Sequence, residues 1–74
     1  MNLWPDVPNR WEVQLVDPTG DIAVRYSSVP DGVYAITAAR RLHHDPVRAG
    51  RVYVWTPKRD VYLTEDNGFR RVGF

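Results

Sequence analysis

The stretch "AARRLHHDPVRAGR", residues 38–51, holds four arginines and both histidines of the chain. Its residue types suit two kinds of chemistry, metal ligation by imidazole and carboxylate and phosphate binding by guanidinium. The spacing argues against the first. Neighbouring helical positions point about 100° apart, so His43 and His44 on a continuing helix diverge, whereas ligands three or four apart converge. His44 also lies one turn from Arg40, which disfavours a nearby cation. The expected metal site is therefore none.

The candidate nucleophiles are Thr19, Ser27, Ser28, Thr37, Thr56 and Thr64, and none stands in a nucleophile-elbow sequence. Ser28 reads instead as a helix cap. Glu65 and Asp66 are adjacent carboxylates in a turn, where solvated charge explains them. The chain has no glycine loop of the kind that cradles phosphates. A chain of 74 residues also has little room for a deep pocket. No catalytic residue and no cofactor is expected, and the chain reads as not an enzyme.

Phosphate binding keeps a candidate set in Arg40, Arg41, Arg48 and Arg51. Arg40 and Arg41 fall in the last turn of a helix, where cations complement the helix dipole by roughly 0.3–1 kcal/mol each. Arg48 and Arg51 extend the same basic edge. The halves of the chain differ in charge. Residues 1–39 carry Arg10 and Arg25 against Asp6, Glu12, Asp17, Asp21 and Asp31, a net of −3. Residues 40–74 carry eight cations against Asp45, Asp60, Glu65 and Asp66, a net of +4. An acidic partner fits this split, and so does charge matching within one compact domain.

The elements that hold these residues follow from periodicity. "MNLWPDVPNR" is an arm, residues 1–10, because Pro5 and Pro8 oppose regular pairing. Residues 11–74 form a single domain. "WEVQLV" and "DIAVRY" alternate around the turn "DPTG", which makes a β-hairpin. "SSVPDGVYAITAARRLHH" turns helical, started by Ser28 in a capping-box spacing or by Asp31 itself. Ala35, Ile36, Ala38, Ala39 and Leu42 gather on one side of it, and their small size implies close approach to a sheet. "RVYVWT" and "VYLTE" flank the turn "PKRD", and "FRRVGF" is a short last strand after "DNG". The expected fold is α+β, a small antiparallel sheet of four to five strands in two hairpins with one α-helix packed on one face, order β-β-α-β-β-(β). Its expected core is Trp11, Val13, Leu15, Ile22, Val24, Ile36, Ala39, Leu42, Val52, Val54, Val61 and Leu63.

In the second hairpin this core leaves Arg51, Tyr53, Trp55 and Tyr62 on the face away from the helix. Solvated antiparallel faces are normally polar, so the aromatics there need an explanation. Three readings apply: a cover formed by the arm through Trp4, a homodimer or partner-protein interface rich in Tyr, Trp and Arg, or a stacking platform for single-stranded nucleic acid.

The chain has no cysteine, which excludes a disulfide framework and a thiolate zinc site. No signal peptide or membrane span is read from it, so a cytoplasmic protein without a membrane partner is expected. Nine of the ten basic residues are arginine, which fits a high-GC source such as an actinobacterium or its phage. The expected function is a non-catalytic protein-interaction module, a small phage or bacterial accessory protein whose contact residues are Trp4, Tyr53, Trp55 and Tyr62. Its expected partner is another protein or a second copy of itself as a homodimer. The alternative is a nucleic-acid-binding domain that uses Arg40, Arg41, Arg48 and Arg51.

Overall fold

The structure is a computed structural model, and it describes residues 10–73. The arm and its Trp4 therefore lie outside the described residues, apart from Arg10. The elements in chain order are β1 (Trp11–Val16), β2 (Ile22–Val29), α1 (Gly32–His43), β3 (Arg51–Trp55), β4 (Val61–Glu65) and β5 (Gly68–Val72). Together they make a small α+β fold. All strand pairings are antiparallel, in the spatial order β2-β1-β3-β4-β5. The hairpin β1–β2 and the meander β3–β4–β5 join through β1 and β3, and α1 carries the chain between them.

The turns form where the sequence places small and capping residues. In "DPTG" the Asp17 carboxylate accepts from the backbone N–H groups of Thr19 and Asp21, both at 3.0 Å, and from the Thr19 hydroxyl at 2.6 Å. Asp31 caps α1, its side chain accepting from the Val33 N–H at 3.0 Å. Ser28 is not the cap. It lies inside β2 with φ of 57°, where two residues of β2 pass one of β1 in a bulge. The helix ends as His44 donates its N–H to the Arg40 carbonyl at 3.0 Å, ahead of the helix-breaking Asp45–Pro46 step.

Helix α1 crosses the middle of the sheet, mainly over β1 and β3. Ala35 and Ala39 are fully buried there, with Leu42 beside them. Their small side chains let the helix sit close, and the bulk is supplied by Val13, Leu15, Val52 and Val54 from the strands. Each such buried aliphatic stabilises the fold by roughly 1.5–3 kcal/mol. Gly32 is needed at the helix start: a Cβ there would lie 2.6 Å from Cζ2 of the Trp11 ring. Gly50, with φ of +142°, lets the chain pass the Val16 carbonyl, which a Cβ would meet at 2.2 Å.

Two core expectations are corrected, Ile22 and Leu63, while Val61 is buried as expected, at 2% exposed, but on the sheet face away from the helix. Ile22 is 43% exposed, because β2 is an edge strand and a register shift separates Ile22 from Val24. Val61 and Leu63 do not share the helix-facing side with Val54. The register pairs Val54 with Tyr62, Tyr53 with Leu63 and Trp55 with Val61, so Tyr62 faces the helix and Val61 and Leu63 face away. Val29 belongs to the core beyond those expected, at the end of β2.

The cause lies in the β3–β4 connection. Thr56 leaves the strand to close the loop. Its N–H donates to the Asp60 carbonyl at 2.9 Å, its hydroxyl accepts from the Asp60 N–H at 3.1 Å, and its carbonyl accepts from the Arg59 N–H at 2.9 Å. The loop thus runs from Thr56 to Asp60, one residue longer than "PKRD". One residue of register turns every side chain of β4 to the opposite face.

Candidate interaction surface

The expected aromatic set is divided by this register. Tyr53 and Trp55 share the face away from the helix, with ring centroids 6.0 Å apart. Tyr62 lies on the other face, in a depression with Trp11, Ile36 and Phe69. Trp55 is only 4% exposed and Val61 2%, so this face offers little open aromatic surface.

Glu12 and Gln14 are also buried on the face of Tyr53 and Trp55. Glu12 accepts two guanidinium bonds from Arg25, at 3.0 and 3.1 Å, and a further bond from the Gln14 amide. A buried carboxylate is tolerable only with such partners.

The four arginines of the basic edge do not form one surface either. Arg40 and Arg41 leave the helix in different directions. The Arg40 guanidinium lies over the Phe69 ring, 5.6 Å from its centroid, beside β5. Arg41 lines a cleft on the opposite side, toward β2, and Arg48 lines the same cleft while paired with Asp45 at 3.5 Å. Arg51 opens β3 on the face away from the helix, opposite Val16. Other cations are matched internally: Arg70 with Glu65 at 3.1 Å and Arg71 with Asp60 at 2.9 Å.

The exposed apolar surface lies elsewhere, between α1 and the edge strand β2. Val33 is 72% exposed, Tyr34 68% and Tyr26 43%. They line a cleft of about 630 Å³ with Val24, Leu42 and Arg41. A second depression of about 530 Å³ follows the bulge of β2 through Ser27, Ser28 and Val29. Tyr26 and Tyr34 line both. The sequence holds a signal for this surface, since the helical phase turns Val33 and Tyr34 away from the stripe of Ala35, Ala39 and Leu42.

The divergence of His43 and His44 presumes a continuing helix, and the helix stops between them. His43 is the last residue of α1 and His44 its cap, and their rings meet nearly edge-on with centroids 5.0 Å apart. Asp66, in the β4–β5 turn, brings its Oδ1 to 2.7 Å from His43 Nε2. One ligand atom from each of His43, His44 and Asp66 lies within 4.8 Å of the others.

The fold and surface together define a small α+β domain with a helix-and-edge-strand cleft. No family model matches the chain, and no match is found among curated proteins or among solved structures. No helix among the described residues is long and apolar enough to cross a membrane.

Proposed function

We propose that this domain is a non-catalytic protein-interaction module that receives an extended segment of a partner protein in the cleft between α1 and β2. The observation that carries the reading is the concentration of exposed Tyr26 on the edge strand β2 and exposed Val33 and Tyr34 on the facing side of α1. An edge strand offers backbone groups to an added strand, and side-chain pockets beside it supply selectivity.

The chemistry of the cleft narrows the occupant. Arg41 makes no ion pair among the described residues and stands at the C-terminal end of α1, where the helix dipole favours an anion least. The guanidinium is therefore the group that would attract a carboxylate. Tyr26, Tyr34, Val24 and Leu42 would enclose an aliphatic or aromatic side chain. The partner segment is thus extended, apolar at one position and acidic near it.

Two register shifts bound the regular part of β2 at Val24–Tyr26. A bulged edge resists long strand-to-strand pairing. This favours a short peptide over the full strand of a second copy. The expected cytoplasmic setting and an origin as a phage or bacterial accessory protein remain part of this proposal.

The test is selection of peptides from a random displayed library on the full chain. Recovered peptides should combine an aromatic or aliphatic residue with Asp or Glu. They should shift the amide resonances of Val24, Tyr26, Tyr34 and Arg41, and bind at least tenfold more weakly to Tyr34→Asp and Arg41→Glu. Peptides that bind both variants unchanged would overturn the cleft. A dimer in light scattering that is lost in Tyr34→Asp would replace the peptide by a second copy. Oligonucleotide binding at low salt, lost on substitution of Arg40, Arg41, Arg48 and Arg51, would replace it by nucleic acid.

A further inference from the structure

We propose that His43, His44 and Asp66 form a surface site for a divalent transition-metal ion of the Zn²⁺ class. The site joins the end of α1 to the β4–β5 turn. It is independent of the peptide cleft, which lies on the β2 side of the helix.

The donor set is two imidazoles and one carboxylate, which suits borderline ions such as Zn²⁺, Co²⁺ and Ni²⁺ better than Ca²⁺ or Mg²⁺. The geometry is close to what such an ion needs. Tetrahedral zinc holds nitrogen and oxygen ligands at about 2.0–2.2 Å, which places ligand atoms about 3.4 Å from one another. The three donor atoms here lie within 4.8 Å of one another. The His43 to Asp66 contact of 2.7 Å would open slightly, and the His44 ring would close in. The Asp66 side chain is 85% exposed, so it has the freedom to make that adjustment. Three protein ligands leave one position for water.

A hydrogen bond between His43 and Asp66 alone would explain two of the three groups. It does not explain His44. The helix cap uses the His44 backbone N–H and not its ring. The ring instead meets that of His43. The neighbouring cations are directed elsewhere. Arg40 lies over Phe69, Arg41 lines the cleft, and Arg48 pairs with Asp45. Glu65, next to Asp66, is held by Arg70. Asp66 is thus the carboxylate left to face the imidazoles.

The placement gives the ion a structural effect. Asp66 and the two histidines are more than twenty residues apart in sequence, and a shared ion ties two elements that otherwise meet through side-chain packing. A ligand that binds only the folded state raises its stability. A small domain without disulfides gains from such a tie.

The experiment uses the full chain, free of affinity tags and stripped of metal with a chelator. Calorimetric titration with Zn²⁺, and the visible spectrum with Co²⁺, measure binding. The expected result is one ion per chain, a Co²⁺ band in the visible, and a higher melting temperature with Zn²⁺. His44→Ala and Asp66→Asn, both on exposed side chains, should each weaken binding about tenfold or more. Circular dichroism of the two variants checks that the fold is kept, which separates lost ligation from lost structure. No binding at submillimolar ion, or equal binding in either variant, would overturn the site.

Discussion

Glu12 is 1% exposed, and both of its carboxylate oxygens accept from Arg25 across the β1–β2 pair. The pair lies on the face of the sheet away from the helix, where a strand alternating with Val13 and Leu15 must point its polar residues. Among the described residues, removing Arg25 leaves the desolvated carboxylate with the Gln14 amide alone. Arg25→Ala should therefore cost about 2–3 kcal/mol, read as a lower midpoint in urea unfolding. Arg25→Lys should fall between, since an ammonium cannot reproduce the two-pronged contact. A cost below about 0.5 kcal/mol would place this pair with ordinary exposed ion pairs.

The β3–β4 register gives a second prediction. Cross-strand nuclear Overhauser contacts should join the backbones of Val54 and Tyr62, and of Trp55 and Val61. Contacts between Val54 and Leu63 as direct partners would restore the face assignment expected from "PKRD". Thr56→Val removes the hydroxyl that accepts the Asp60 N–H. It should cost about 1 kcal/mol.

Thr64 is 3% exposed, and its hydroxyl has no hydrogen-bond partner among the described residues. Valine has nearly the same shape and no group to desolvate. Thr64→Val should therefore stabilise the protein, by about 1 kcal/mol, seen as a higher melting temperature. A loss of stability would mean that the hydroxyl is satisfied.

Asp17 gives a dependence on pH. The Thr19 hydroxyl, the Asp21 N–H and the Thr19 and Gly20 N–H groups hold its carboxyl below the ordinary aspartate range. The folded state thus favours the ionised form, so Asp17 supports stability fully above the ordinary aspartate pKa of about 3.9. That support is lost as pH falls through the lowered value. Asp17→Ala should flatten the acid side of the melting-temperature profile and leave the alkaline side parallel to the wild type. An unchanged acid limb would show that the turn does not depend on the ionised carboxylate.

Local rules made much of this protein legible. Alternation in "WEVQLV", the turn in "DPTG" and the small-residue stripe through Ala35 and Ala39 each depend on residues a few positions apart, whereas the choice between Ser28 and Asp31 as helix cap was left to the bulge that keeps Ser28 in β2. The amino-acid sequence by itself therefore determined the elements, their order and the helix-facing side of β1. What it left open depended on relations between distant residues. Thr56 belongs to a strand or to a loop according to its bonds with Asp60, and that one residue decides whether Tyr62 or Leu63 faces the helix. His43 and His44 diverge when only the helix is considered. They gain Asp66 because the β4–β5 turn is brought to the helix end by packing of the sheet. The cleft of Tyr26 and Tyr34 exists because β2 became the outer strand, a consequence of β1 pairing with β3. Periodicity states which way a side chain points from its own element, and only tertiary packing decides what stands opposite it.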